Sequence, residues 1–488
     1  MKRESFGSRL GFILVSAGCA IGIGNVWKFP YICGAYGGAA FILIYLLFLV
    51  IFGIPVLTCE FAVGRGSKKS VSNSFDVLEP AGTRWHHMKH IGIVGCYLLM
   101  MFYTTVGGWL MYYCYRCIRG EFNSATPETI SNAFNGMLAN APLMAFWTIL
   151  ACVIGFAVCA YGLKNGIERI TKVMMSALII IMVVLAIRSV TMSGAGEGVR
   201  FYLIPDFAKM KEAGIGNVIF AAMSQAFFTL SIGIGAMLIF GSYLDRSHSL
   251  AGEAVNITIL DTFVALTAGF IVIPACFAYG IEPDAGPSLI FVTLPNIFAQ
   301  MKGGAFWGAL FFLFLTFAAL STLIAVFENL IAIQMDLFGW TRKKSVIICS
   351  VTIMILSMPC VLGFNLLSDL QPVGAGSTIM DLEDFIVSNN LLPLGSLGYV
   401  LFCSTKNGWG WENFLKEANT GNGLSFPKFL KPYMTYGIPL IIMIIYLKGY
   451  YDKFVGSPKP VFFGWMAVAV VLLAFVVWCA TGKKKHTK

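Results

Sequence analysis

One stretch near the start limits the fold more than any other. Ala17-Gly18-Cys19-Ala20-Ile21-Gly22-Ile23-Gly24-Asn25-Val26-Trp27-Lys28-Phe29-Pro30 lies inside an apolar run from Leu10 to about Phe48. At about 20 residues per crossing, that run is long enough to span a bilayer twice. Yet three glycines, an asparagine, a lysine and a proline interrupt it. Glycine gives up the most backbone freedom on folding and weakens a helix. In hydrocarbon an unpaired N–H or C=O is costly, so irregular backbone persists only against protein or an aqueous cavity. The stretch predicts a helix that breaks at such a site, or a helix packed closely through small residues. The pattern recurs in Thr229-Leu230-Ser231-Ile232-Gly233-Ile234-Gly235, after Gln225-Ala226-Phe227-Phe228. Two Gly-interrupted segments at corresponding places in two halves point to a midplane binding site.

The rest of the chain supports a membrane reading. Of 488 residues, 58% are hydrophobic and 12% charged, too little polar surface for a soluble protein of this length. About twelve apolar runs qualify as spans: 10–37, 39–64, 90–117, 142–162, 167–191, 216–244, 254–280, 304–338, 345–364, 373–403, 432–450 and 461–481. The first has no small-residue cleavage site and is not read as a signal peptide. The net charge of +10 reflects basic loops on one side rather than a nucleic-acid surface. With both termini cytoplasmic, most Lys and Arg fall on the inner side, as the positive-inside rule requires. The thirteen cysteines sit almost wholly in spans, where a free thiol acts as a small hydrophobe. The five histidines fall in inner segments, so no metal cluster or intramembrane histidine relay is expected.

Several polar residues inside spans need partners. Glu60 ends the second span, and the freed amides of a broken helix are plausible donors. Tyr103, mid-membrane in the third span, can bond to a neighbouring helix or face a ligand. Asp261 in the seventh span has no basic neighbour in sequence, so a bound cation is a candidate partner. Ser321 and Thr322 can bond back to their own helix or join carbonyls around a hard cation. Asp381, Glu383 and Asp384 open the tenth span, where acids complement the helix dipole. The Pro- and Gly-rich segment 283–300 reads as a re-entrant or lid-like loop.

Taken together, Gly-Asn-Val-Trp-Lys-Phe-Pro-Tyr, Gly-Gly-Ala-Ala-Phe, Gln-Ala-Phe-Phe-Thr-Leu-Ser and Phe-Val-Thr-Leu-Pro closely resemble the prokaryotic neurotransmitter:sodium symporter family, over about residues 3–450. The bacterial member LeuT is a standard example of broken helices at a midplane site. The resemblance implies an all-α fold of about twelve transmembrane helices, a 5+5 inverted repeat with helices 1 and 6 broken. The tail 1–9 would carry the inner gate, with repeats at 10–192 and 216–403 and an outer loop at 193–215. A cytoplasmic loop at 404–431, two further helices at 432–481 and a tail at 482–488 would follow. It implies a sodium-coupled importer of a neutral, hydrophobic amino acid in the cell membrane, not an enzyme. The alternative is a transporter-like sensor or ligand-gated channel, although no repeated polar ring marks a pore.

The same resemblance implies the site residues. A first sodium ion would take Ala20, Asn25, Thr229 and Asp261. A second would take the carbonyls of Gly18, Ile21 and Ala318 and the hydroxyls of Ser321 and Thr322. The substrate would meet Cys19, Ile23, Gly24, Leu99, Tyr103, Phe228, Ser231, Ile234, Thr322 and Val326. Lys28 with Asp384 would form the outer gate. Arg3 with Asp336, backed by Phe6, Ser242 and Tyr243, would form the inner one. Amine-transporting relatives place an aspartate at the position of Gly22, so the carboxylate here must come from the substrate. Lys28 stands where arginine is common, and a lysine lacks the bidentate fork. Ser176 stands where some members have a proline ten residues after the glycine corresponding to Gly166, which puts inner release by unwinding of helix 5 in doubt. Tyr45, Gln225 and Thr229 persist from the chloride-binding relatives, but Asp261 and Ala265 replace asparagine and serine. No chloride requirement is therefore expected.

Overall fold

The apolar runs fold as helices. A computed structural model of the chain describes residues 4–281 and 288–482. Among these residues there is no strand, only an isolated bridge between His248 and Asn422. Among the described residues, ten helices are long and apolar enough to cross a bilayer. An eleventh crossing is the pair Arg9–Ala20 and Gly24–Ala35, bent by 57° at its break. The run expected at 216–244 divides into Ile215–Thr229 and Ala236–Tyr243, each too short to count alone.

Burial sorts the helices into a core and a rim. Of the most apolar stretch of Gly304–Phe338, 83% is buried, against 11% for Lys459–Ala480. The first packs along Trp85–Ile118 and beside the broken first segment, at the centre of the bundle. The second packs inward through Ala469, Val476 and Cys479 and leaves most of its bilayer-length apolar surface exposed.

The connections carry the sequence's punctuation. Thr378 begins Ile379–Ile386 with a reciprocal capping box to Asp381, so the tenth span starts later than residue 373. Of the segment expected to be lid-like, 282–287 lie outside the described residues. The rest forms Leu289–Thr293 and Leu294–Gln300. Phe291 there is fully buried, ringed by Trp27, Trp109, Tyr113 and Phe134 with centroids 5.0–6.0 Å away. Leu163–Val190 runs on through Ser176 without a break, as expected where proline is missing. All thirteen cysteines are buried and free.

One expectation needs correction. Ligand atoms of Asp76, Glu79 and His86 do lie within 4.8 Å of one another. Residues three to ten apart meet because Val71–Leu78 turns back through a short loop into Trp85–Met88. The group is already satisfied without a metal. His86 Nδ1 is 2.7 Å from Glu79 and the Lys89 ammonium 3.2 Å from Asp76.

Candidate functional site

Both broken segments meet at the centre, and several of their loose backbone groups have side-chain partners. The first helix stops at Ile21, which is extended at ψ 91°. In the sixth, Ser231, Gly233 and Gly235 all have positive φ, which only Ser231 adopts against steric preference. The amides of Gly233 and Gly235 donate to Glu60 Oε1 at 2.8 and 3.1 Å. Glu60 is fully buried, so the carboxyl expected to find amides does find them. Asn329 donates to the Gly235 carbonyl at 3.1 Å. Sequence reasoning missed Asn329, although an amide inside a long apolar span is itself a signal.

Between the breaks lies a cavity of about 30 Å³, lined by Cys19, Ala20, Gly22, Gly24, Leu99, Tyr103, Phe228, Ser231, Ile234, Thr322 and Leu392. Eight of the ten residues expected at the substrate are among them. Ile23 lines the adjoining outer cavity instead, and its amide donates to the Tyr103 hydroxyl at 3.0 Å. Val326 is fully buried one turn beyond Thr322 and does not line the cavity. Leu392, which was not expected there, lines the cavity as well; as one leucine beside Pro393 it gave no sequence signal. A Cβ on Gly22 would fall 2.8 Å from Thr322 Oγ1 and closer still to the Tyr103 hydroxyl. No side chain fits at that position without displacing both.

Two oxygen-rich clusters flank this cavity. In one, Asn25 Nδ2 donates to Asp261 Oδ1 at 2.8 Å and to Thr229 Oγ1 at 2.9 Å. Thr229 donates to Asp261 Oδ2 at 2.9 Å, and the Tyr45 hydroxyl reaches Thr229 at 3.4 Å. Gln225 bonds the Gly24 carbonyl at 3.0 Å, and Ala265 is buried one turn after Asp261 on the same helix. Asp261 is fully buried, and no ion pair reaches it among the described residues. Ala20, expected in the same group, lines the central cavity.

The other cluster centres on Thr322. Its hydroxyl lies 3.2 Å from the Gly18 carbonyl and 3.4 Å from those of Cys19, Ile21 and Ala318. Ser321 Oγ donates to the Ala318 carbonyl at 2.9 Å. A hydroxyl brings one proton, so six oxygens share two. All five residues expected here come together, and the Cys19 carbonyl joins them. Such a donor set suits a hard cation, which takes oxygen ligands.

The two ends of the bundle differ. Beyond Phe228 lies an outer cavity of about 280 Å³, whose lining includes Trp27, Lys28, Tyr31, Asp381 and Asp384. Among the described residues no ion pair joins Lys28 to Asp384. The Lys28 ammonium sits 4.0 Å above the Phe228 ring, and Asp384 accepts from Ser388 at 2.6 Å. The expected outer pair is therefore unmade, with the cavity between its members.

At the end carrying the N-terminal segment, Phe6 packs on Phe12, Phe240 and Tyr243 at 5.5–6.3 Å. Ser242 bonds the Ile239 carbonyl at 2.6 Å. Asp336 accepts from the Ser70 amide at 2.7 Å, with the Lys69 ammonium 3.9 Å away. Arg3 lies outside the described residues. A second set of pairs stands beside this one. Arg342 bridges buried Glu328 and Glu4, and Tyr243 donates to Glu328 at 2.6 Å. Glu168 accepts from the Gly7 amide, the Ser8 hydroxyl and Lys172 at 2.6–2.9 Å. In sequence, Glu328 is a carboxyl inside an apolar span and needs a partner; Arg342, a basic residue just past the end of that span, carries no such signal.

The family described as "Sodium:neurotransmitter symporter family" matches residues 3–136 and 134–478. A sodium-dependent transporter of Bacillus subtilis (strain 168), YhdH, is 32% identical over 91% of this chain and 97% of its own. The serotonin transporter of Drosophila melanogaster, sodium-dependent by name, is 28% identical over 78% of this chain and 68% of its own. Among solved structures, MhsT in complex with L-phenylalanine is similar, at 38% identity and a TM-score of 0.82. That match covers 92% of this chain and 100% of MhsT.

Proposed function

This chain belongs to the sodium:neurotransmitter symporter family, and on that premise we propose that it imports a neutral, hydrophobic L-amino acid with sodium and without chloride. It is a multi-pass membrane transporter that uses sodium, not an enzyme. The finer reading rests above all on the central cavity. Its lining combines Gly22, Gly24, Ser231, Tyr103 and Thr322, which bring backbone and hydroxyl groups, with the apolar Leu99, Phe228, Ile234 and Leu392. An α-carboxylate would bond the Tyr103 hydroxyl and the amides at the first break, which also present a positive helix end. The apolar side chain would lie against the leucines and isoleucine. MhsT was solved with a hydrophobic amino acid, which supports the same substrate class here.

Cations would take the two clusters. At the first, Asp261 would supply a fixed negative charge, with Thr229 and, after rotation of its amide, Asn25 Oδ1. At the second, Thr322 and Ser321 would turn their hydroxyl protons outward and leave carbonyls facing the ion. A sodium ion crossing a 100 mV potential releases roughly 2.3 kcal/mol, so two would drive uphill uptake. A chloride beside Asp261 would set two anions together; at about 4 Å and an effective dielectric of 20 they repel by roughly 4 kcal/mol. The two inverted repeats, 10–192 and 216–403, would rock about the site, with both termini in the cytoplasm.

Gly22 makes the reading testable. An aspartate there to hold a substrate ammonium would collide with Tyr103 and Thr322. The purified protein should bind L-leucine in sodium and lose it when sodium is exchanged for potassium. Tryptamine or tyramine should not compete. Sodium-dependent binding of either amine at comparable affinity would overturn the substrate assignment.

A further inference from the structure

Two side chains stand between the central cavity and a larger one. A second cavity of about 150 Å³ lies beside it, walled by residues that include Phe220, Ser224, Ile445 and Tyr446. Among the described residues, only Phe228 and Leu392 line both. Phe228 also faces the outer cavity, with the Lys28 ammonium over its ring, so its position follows the outer path. Leu392 has no such role.

The backbone of Leu392 is pinned. A Cβ added to Gly233, in the second break, would lie 2.9 Å from the Leu392 Cα and carbonyl carbon. Gly395, one turn later, packs as closely on Gly233. Asn390, two residues earlier, accepts hydrogen bonds from Tyr446 and Tyr450. With its main chain held on both sides, only the isobutyl group of Leu392 can change the wall.

We propose that Leu392 is a specificity-determining residue that sets the upper size of the transported side chain by separating these two cavities. The proposal rests on the central cavity being the amino-acid site. A branched aliphatic side chain would end against Leu392. A bicyclic aromatic one would need part of the space behind it. Hydrophobic pockets discriminate by one or two methylenes over about 10–200-fold, so one leucine is enough to shift preference.

The test measures sodium-dependent binding of L-leucine and L-tryptophan to the full chain and to Leu392→Ala and Leu392→Phe. In Leu392→Ala the affinity ratio of tryptophan to leucine should rise about tenfold; in Leu392→Phe it should fall. Retained leucine binding in sodium shows that each variant is folded. A ratio within twofold of wild type in both variants would overturn the proposal and leave the site assignment standing. Loss of leucine binding by both, with thermal unfolding unchanged, would also overturn it, because Leu392 would then hold the site rather than limit it. Absence of leucine and tryptophan binding in the wild type would instead sink the site assignment itself.

Discussion

The two ends of the bundle both carry acids and bases, and they use them differently. At the end with the N-terminal segment, Glu4, Glu168, Glu253, Glu328 and Asp336 all accept from named partners, and the first segment is stapled down through Glu4, Gly7, Ser8 and Arg9. At the other end Lys28 and Asp384 face the same cavity without pairing. A gate built from ions is closed where the ions are paired and open where a cavity separates them. The difference reads as a transporter open toward one side and sealed at the other. It also places the thin barrier: from the outer cavity to the central one there is little more than Phe228 and Tyr103.

The largest effect should come from breaking the sealed end at its most buried acid. Glu328 is fully buried, and Glu328→Gln leaves Arg342 without its main counter-charge. Removing one partner of a buried pair costs about 3–5 kcal/mol. Conformations open at that end should gain more than a hundredfold in population. Amide exchange in Ala236–Tyr243 should speed up accordingly, and unchanged exchange there would mean that this pair does not hold the seal.

Glu168→Ala should act in the same direction with a smaller amplitude. It removes the acceptor of the Gly7, Ser8 and Lys172 bonds, and a bond to a charged group contributes about 1.5–3 kcal/mol. The N-terminal segment should become cleavable by added protease while the spans stay intact. Equal protection of wild type and variant would remove Glu168 from the account.

The smallest effect on folding should come from the open end. Asp384 makes no ion pair among the described residues and accepts one hydrogen bond, from Ser388 one turn on, so Asp384→Ala should cost no more than about 1 kcal/mol of thermal stability. Transport should still slow severalfold, because closing the outer path would need the pair with Lys28. Sodium binding, read by its stabilisation of the fold, should persist. Wild-type transport in Asp384→Ala would show that this path closes without the pair.

How much of this was legible depended on whether a residue violated its surroundings. Glycines in apolar runs announced both breaks, because a bilayer leaves few ways to satisfy loose backbone. Asp261, Glu60 and the Ser321–Thr322 hydroxyls stood out for the same reason; Glu60 meets amides, Asp261 meets Asn25 and Thr229, and the hydroxyls lie among carbonyls. Leu392 did not stand out. An apolar residue in an apolar span carries no signal, and its place at the cavity depends on how the tenth helix leans on Gly233. The unmade Lys28–Asp384 pair was invisible for another reason. A sequence specifies both states of a gate, and only coordinates say which one is present. Asp76, Glu79 and His86 meet through a chain reversal that no spacing rule marks.

The central claim is that sodium, with Asp261 as its fixed counter-charge, drives amino-acid uptake through this site. The most direct test is uptake of radiolabelled L-leucine into proteoliposomes under an inward sodium gradient, with chloride replaced by gluconate. The account predicts concentrative uptake that vanishes with the sodium gradient, is unchanged in gluconate, and is lost in Asp261→Asn or restored there only by chloride. Wild-type uptake that collapses in gluconate, or that proceeds without a sodium gradient, would contradict it.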